Sequence, residues 1–264
     1  MTKPLALVTG ASSGIGAAIA QELAQRGHDL ILVARREGAL RDLAQTLASA
    51  HRVTCHVISA DLVAPDGVSS LLAALTQKGL SPDVLVNNAG LGMIGPHVDM
   101  PWADEQRMID LNITALTALT HALLPAMTQR RQGRVLNVAS TAAFQPGPGM
   151  AVYFASKAYV LSYSEALHQE LRHQGVTVTA LCPGPTQSEF VAVASRHRKV
   201  ALADRVSFAP AQDVARQAIE GLLCGQAIVI PGLINKLGVW SGRITPRWLM
   251  RRIVAAAFRS TQVE

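Results

Sequence analysis

LALVTGASSGIGAAI, residues 5–19, carries a strand, a tight turn and the start of a helix. Leu5–Thr9 is a short apolar run. From Ile15 to Gln25 the apolar residues Ile15, Ile19 and Leu23 recur at i, i+4 and i+8, the spacing of one helix face. Between them Thr9–Gly16 holds Ser12, Ser13 and three glycines. Gly10 suits turn dihedrals, while Gly14 and Gly16 let backbone and ligand approach with no Cβ in the way. The first N–H groups of a helix starting at Ile15 lack intrahelical acceptors and stand at the positive end of its dipole. A pyrophosphate fits there. The spacing G-x-x-x-G-x-G differs from the dinucleotide fingerprint G-x-G-x-x-G, and no Gly-Lys-Ser/Thr follows, which excludes a Walker A loop. A glycine-rich turn without a ligand is the alternative.

The same rhythm continues outward. Leu30–Ala34, Val53–Ile58, Val84–Val86, Arg134–Val138, Val176–Leu181 and Ala227–Ile230 read as strands. They alternate with helical stretches at Leu40–Ala50, Leu71–Thr76, 103–130, 152–173 and 211–224. Continuous apolar runs mark strands buried on both faces, so this is an α/β chain with one parallel sheet between helical layers. Residues 1–241 read as one domain and 242–264 as an extension. Residues 186–209 fit the rhythm poorly and lie beyond a strand end, where open α/β sheets bind ligands, so they are a candidate lid.

With 264 residues, 49% apolar and 16% charged, the chain is long and apolar enough for a large core, which excludes disorder. Three cysteines without close spacing exclude a disulfide framework or zinc ribbon. The histidines form no HExxH, so no metal is expected. The N-terminal apolar run is too short for a signal peptide or a membrane span, which favours a cytoplasmic protein. The net charge of +6 is uneven: residues 242–264 hold five arginines and one glutamate. Nucleic acid is therefore not expected. The extension is amphipathic if helical, with Trp248, Leu249, Ile253 and Ala256 on one side and Arg247, Arg251, Arg252 and Arg259 nearer another. It packs on its own domain or a partner subunit, rests peripherally on an anionic membrane, or is loose.

Further positions carry chemistry. After the second strand, Arg35 and Arg36 stand where many dinucleotide sites put an acid. Guanidinium groups suit a ribose 2′-phosphate, which favours NADP(H); two solvated arginines are the alternative. Asp61 either accepts a bond from an adenine amino group or caps a helix starting near Pro65. Ser140 ends a strand, and Tyr153 and Lys157 share a helix face four residues apart. Asn112 lies among Ile109, Leu111, Ile113 and Leu116, where a buried amide needs partners. A phenol can exchange a proton with a carbonyl or alcohol oxygen, and a lysine cation beside it favours phenolate. A serine hydroxyl can polarise the substrate oxygen, and Asn112 can hold a water linking Lys157 to solvent. No G-x-S-x-G nucleophile elbow is present.

TGASSGIG (9–16), Asp61-Leu62, NNAG (87–90), Asn112, Ser140, Tyr153-x-x-x-Lys157 and PGPTQSEF (183–190) occur in one order. Together they resemble the short-chain dehydrogenases/reductases of about 250 residues, over roughly residues 4–235. The resemblance implies a doubly wound Rossmann fold with seven parallel strands in order 3-2-1-4-5-6-7. It implies a catalytic tetrad of Asn112, Ser140, Tyr153 and Lys157, with Tyr153 as acid/base and Lys157 also on the nicotinamide ribose. It places the cofactor against Gly10, Ser12, Ser13, Gly14, Ile15, Gly16, Arg35, Arg36, Asp61, Leu62, Asn88, Ala89 and Gly90. Pro183 and Gly184 then border the nicotinamide, and Thr186 or Ser188 bonds its carboxamide. Here Thr186 departs from the family's apolar residue and Ser188 from its threonine. Arg35 matches the basic position of NADP-preferring members. A homodimer or homotetramer is implied through the helices of Asn112 and Tyr153.

Segments 91–99, 141–150 and 186–209 border the expected substrate pocket. They include His97, Phe144, Gln145 and Met150, and suggest a medium-sized hydrophobic carbonyl or alcohol. An acyl-thioester ketoreductase and a cofactor-binding sensor or scaffold without turnover are the alternatives.

Overall fold

The computed structural model describes residues 3–190, 194, 198–200, 208–257 and 260–262. Leu5–Thr9 is β1 and Gly14–Gln25 is α1, followed by β2 (Asp29–Ala34), α2 (Glu37–His51), β3 (Cys55–Ser59), α3 (Gly67–Gln77) and β4 (Val84–Asn87). Next come α4 (Trp102–Ile109), a π-helical segment at Asp110–Ala115, α5 (Leu116–Gln129), β5 (Gly133–Val138), α6 (Ala151–Leu171) and β6 (Val176–Leu181). The chain then forms α7 (Ala211–Leu223), β7 (Ile228–Val229), α8 (Leu233–Ile244) and α9 (Arg247–Ala257). The seven strands make one parallel sheet in the order β3-β2-β1-β4-β5-β6-β7. This is the doubly wound order.

Strand alternation builds both layers. Ala6, Val8, Leu30, Leu32 and Val86 meet Ile19, Leu23, Leu40 and Ile219 from α1, α2 and α7 on one face. Leu7, Ile31, Val33, Leu85 and Val178 meet Leu71, Leu75, Leu119 and Leu171 from α3, α5 and α6 on the other. The central strands therefore bury nearly every side chain, which is why they are apolar without a period of two, while the edge strand β3 leaves Ser59 exposed.

Two helices form the chain's end. The helix α8 runs across position 241, the expected start of the extension. In α9 the buried residue is Val254, with Met250 packed beside it, while Trp248, Leu249 and Ile253 face solvent. The apolar side read from the sequence is thus the outer one, and α9 packs on its domain through Met250 and Val254. Arg198–Val200 pairs antiparallel with Ser260–Gln262, tying the candidate lid to the chain's end. Arg259 and His197 lie outside the described residues.

Candidate active site

The glycine turn sits at the C-terminal end of the central strand β1. Gly10 and Gly14 have φ of +64° and +56°, conformations that L side chains rarely adopt. A Cβ on Gly14 would stand 2.9 Å from the Ser188 Cβ. Gly16 does not line the cleft: a Cβ there would fall 2.4 Å from Asn88 Nδ2. Asn88 Nδ2 in turn donates to the carbonyls of Thr9 (2.9 Å) and Gly10 (3.2 Å), bracing the turn. The bare backbone at the start of α1 and the space above it fit a dinucleotide's phosphates.

On one flank Arg36 reaches back across the turn. Its Nε donates to Ser12 Oγ (3.3 Å), and its guanidinium pairs with Glu189 at 2.8 Å. Ser13 Oγ donates to the same carboxylate at 3.0 Å. Arg36 first and Ser13 second hold the Glu189 carboxyl below its ordinary pKa. Arg35 is exposed on the cleft wall. Asp61 does not cap α3, which starts at Gly67 after Asp66. Its Oδ1 instead accepts from Val63 N at 3.2 Å, a local turn, and it stays on the cleft wall with Leu62.

The reacting groups meet at the other end. Ser140 closes the strand end after β5, and its Oγ accepts from Ala142 N at 3.1 Å. Tyr153 and Lys157 extend from the first turns of α6. Lys157 Nζ donates to the Val138 carbonyl at 2.8 Å and lies 5.9 Å from the Tyr153 ring centroid. Burial pushes the Lys157 ammonium down to about 8. Burial also pushes the Tyr153 phenol up to about 12, outweighing the opposite pull of its hydrogen bond with Ser140. The net shift of the phenol is thus upward, opposite to the expected lowering, because burial dominates.

Asn112 sits behind the wall in the π segment and is 1% exposed. Its Nδ2 donates to the Leu91 carbonyl (2.9 Å) and Ser156 Oγ (3.0 Å), and its Oδ1 accepts from Leu91 N (2.8 Å). Both amide hydrogens are committed, so these bonds brace the 90–92 wall. A Cβ on Gly90 would stand 3.3 Å from Asn112 Oδ1 and 3.4 Å from Lys157 Nζ, so the bare backbone fits closely against both; Lys157 lines the cleft and Asn112 does not.

One cleft of about 1030 Å³ joins all of this. Besides the residues above, Ile15, Ala89, Pro183, Gly184 and Thr186 line it. Thr186 Oγ1 donates to the Gly184 carbonyl at 2.9 Å, and Ser188 Oγ to the Thr186 carbonyl at 3.3 Å. The substrate end is walled by Met93, Ile94, Gln145, Met150, Phe154 and Phe190. Phe144 turns away to pack near Leu116 and Ala139, and His97 points outward to pair with Glu105 at 2.9 Å.

Sequence reading missed Glu189 and Phe190 as wall residues. Glu189 was detectable as an acid following the PGPTQS segment. Phe190 was not, because its partner Gly92 is remote in sequence. Also missed was a buried polar chain beneath the site: Asn87 Nδ2 donates to Asn137 Oδ1 and Thr120 Oγ1, both at 2.9 Å, and Asn137 Nδ2 donates to Ser164 Oγ at 2.9 Å. It ties β4 to β5, α5 and α6. Among the described residues no His/Cys/Asp/Glu group is arranged to hold a metal, and no helix is long and apolar enough to cross a membrane.

Known proteins share this framework. The short chain dehydrogenase family description matches residues 4–199. A sulfoacetaldehyde reductase of Chromohalobacter salexigens is 39% identical over 191 residues, 72% of this chain and 75% of that protein. A short-chain dehydrogenase from Sphingobium yanoikuyae, solved with NADPH, superposes with a TM-score of 0.82 at 32% identity, covering 99% of this chain and 98% of that one. A bulky-bulky ketone specific alcohol dehydrogenase from Comamonas testosteroni has a TM-score of 0.78 at 30% identity, covering 100% and 98%. Both NADPH and NAD complexes occur among solved relatives. The chain belongs to the short-chain dehydrogenase/reductase family of oxidoreductases.

Proposed function

We propose that this chain is an NADP(H)-dependent reductase or dehydrogenase of medium-sized hydrophobic carbonyl or alcohol compounds. The observation that carries the reading is the convergence of Tyr153, Ser140 and Lys157 where the glycine-lined cleft opens into an apolar chamber. When bound, the nicotinamide cofactor supplies or accepts the hydride. The glycine turn, with Ser12, Ser13, Ile15, Asn88 and Gly90, would hold its phosphates and ribose. Arg35 and Arg36 support the preference for a 2′-phosphate.

The chain's own groups handle the proton. In the reducing direction the Tyr153 O–H donates to the carbonyl oxygen while the Ser140 hydroxyl polarises it. The phenol, pushed up to about 12 by burial, carries its proton at neutral pH and so has one to give. The Lys157 cation, on the same helix face, stabilises the phenolate left behind. Asn112 braces the Leu91 backbone of the adjoining wall. Met93, Ile94, Met150, Phe154 and Phe190 exclude water from the reacting oxygen, which strengthens each of these interactions. The rings of Tyr153 and Phe190 lie 5.3 Å apart, which supports an apolar substrate beside the phenol.

The α5–α6 face, with Tyr159 and Tyr163 stacked at 5.7 Å beside an open groove, supports a homo-oligomer through that face. For the reaction, the deciding experiment is Tyr153→Phe. Turnover of a carbonyl panel with NADPH should vanish while NADPH binding persists; retained turnover overturns the reading.

A further inference from the structure

We propose that α8 and α9 form a docking face for an anionic lipid surface. Eight of the eleven large apolar side chains exposed among the described residues lie between 233 and 253. On α8, Leu233, Ile234, Leu237, Trp240 and Ile244 are 63–86% exposed and share one helix face. Only Val239 of that helix is buried, so its apolar face points away from the core. On α9, Trp248 and Ile253 are likewise half-exposed, and Gly242 lies against Met250, which makes the two helices neighbours. An apolar arc of this extent marks an interaction surface.

Charge identifies the occupant. Lys236, Arg243, Arg247, Arg251 and Arg252 are exposed on the same two helices, and no acid lies between Glu220 and Glu264. None of the five pairs with an acid among the described residues; Arg252 instead stands 5.7 Å over the Trp248 ring. A second copy of this face would bring five cations against five. An anionic bilayer takes both features, since apolar side chains enter the headgroup boundary and basic ones meet lipid phosphates. Two of the chain's three tryptophans lie here, and indole rings favour that boundary. Val254 and Met250 of α9 pack with Ile94, Phe154 and Phe190, so the docked face adjoins the apolar end of the cleft. The docking itself does not depend on the reaction proposed above.

The test is sedimentation of the full chain with vesicles of phosphatidylcholine alone or mixed with phosphatidylglycerol. It is run at about 0.1 M and about 1 M salt, where the screening length falls from ~10 Å to ~3 Å. The wild type should bind the mixed vesicles, lose most binding at high salt, and show a blue shift of tryptophan emission. Leu237→Glu with Trp240→Glu, and separately Arg243→Gln with Arg247→Gln and Arg251→Gln, should each cut binding about tenfold or more. These side chains are exposed, and unchanged NADPH binding and melting temperature show an intact fold. Wild type that remains in the supernatant overturns the proposal. So does equal binding to both vesicle types, or loss of a dimer in the Leu237→Glu/Trp240→Glu variant with vesicle binding unchanged, which would assign the face to a second copy.

Discussion

The Glu189 carboxylate sits 2.8 Å from the Arg36 guanidinium, spanning the cleft mouth above the glycine turn. It also takes the Ser13 hydroxyl, so it uses two groups that the proposed 2′-phosphate seat would need. A cofactor bearing that phosphate must displace Glu189, whereas one lacking it need not. Glu189→Gln should therefore tighten NADPH binding about two- to fivefold, the scale of an exposed pair, and leave NADH unchanged. The contact is lost as pH falls through the lowered pKa of Glu189, so the gain should fade in acid. Fluorescence titration checks this; equal tightening of both cofactors would remove Glu189 from the phosphate seat.

Lys157 carries a stability cost that pH reveals. Burial takes its pKa from 10.5 to about 8. Between those values the unfolded chain binds a proton that the folded chain has released, so this group's contribution to stability rises with pH. Below about 8 the cost is present in full, about 3 kcal/mol at roughly 1.4 kcal/mol per pH unit. Lys157→Met removes the titration along with activity. Relative to that variant, the wild type should gain about 3 kcal/mol in urea melts between about pH 7 and pH 10.5. A difference that stays flat with pH would contradict the buried cation.

Asn112→Ala breaks three bonds at once, two of them to the Leu91 backbone. The loss should be about 2–3 kcal/mol of stability, because buried polar groups are left without partners. A displaced 90–92 wall should lower kcat about 100-fold, the effect of small misplacement at a reacting centre, with NADPH still bound. Chemical denaturation and single-turnover kinetics separate the two effects. Wild-type kcat in a destabilised variant would reduce Asn112 to a packing residue.

Much of this was legible from residue patterns, and what was not has a local reason. Ala6, Leu7 and Val8 are all buried because adjacent strand residues enter opposite layers, so an unbroken apolar run identified β1. The helix at 103–130 was readable, but its π segment was not: one extra residue in a turn barely disturbs the apolar spacing around Asn112. Asp61 and Asp66 are both plausible caps on composition, and only the start of α3 at Gly67 separates them. The packed side of α9 depends on Ile94 and Phe154, far away in sequence, so local amphipathicity could not say which side meets the domain.

Two glycines of similar appearance should respond oppositely to alanine. At Gly16 a Cβ would fall 2.3 Å from the Gly10 carbonyl oxygen, a backbone atom that cannot swing aside. Gly16→Ala should deform the turn, costing about 2 kcal/mol or more and most cofactor affinity. Gly38, in α2, has nothing within 4 Å of a new Cβ. Gly38→Ala should add about 0.5–1 kcal/mol, since alanine loses less entropy in a helix. Thermal melts with and without NADPH check both. A Gly16→Ala protein that binds normally would contradict the close approach.

Phe190 sets the size of the substrate chamber. Its ring lies across Gly92, where a Cβ would come within 2.2 Å of Cζ, and 5.3 Å from the Tyr153 ring. Phe190→Ala removes that ring beside the proton donor while leaving Tyr153, Ser140 and Lys157 in place. Bulkier ketones should then gain in kcat/KM relative to smaller ones by about tenfold or more, the discrimination expected from a changed apolar pocket. Small ketones should lose kcat/KM through looser positioning, with NADPH affinity unchanged. The ratio across a ketone series of graded size measures the effect. A uniform fall across that series would show that Phe190 supports the chamber without setting its size.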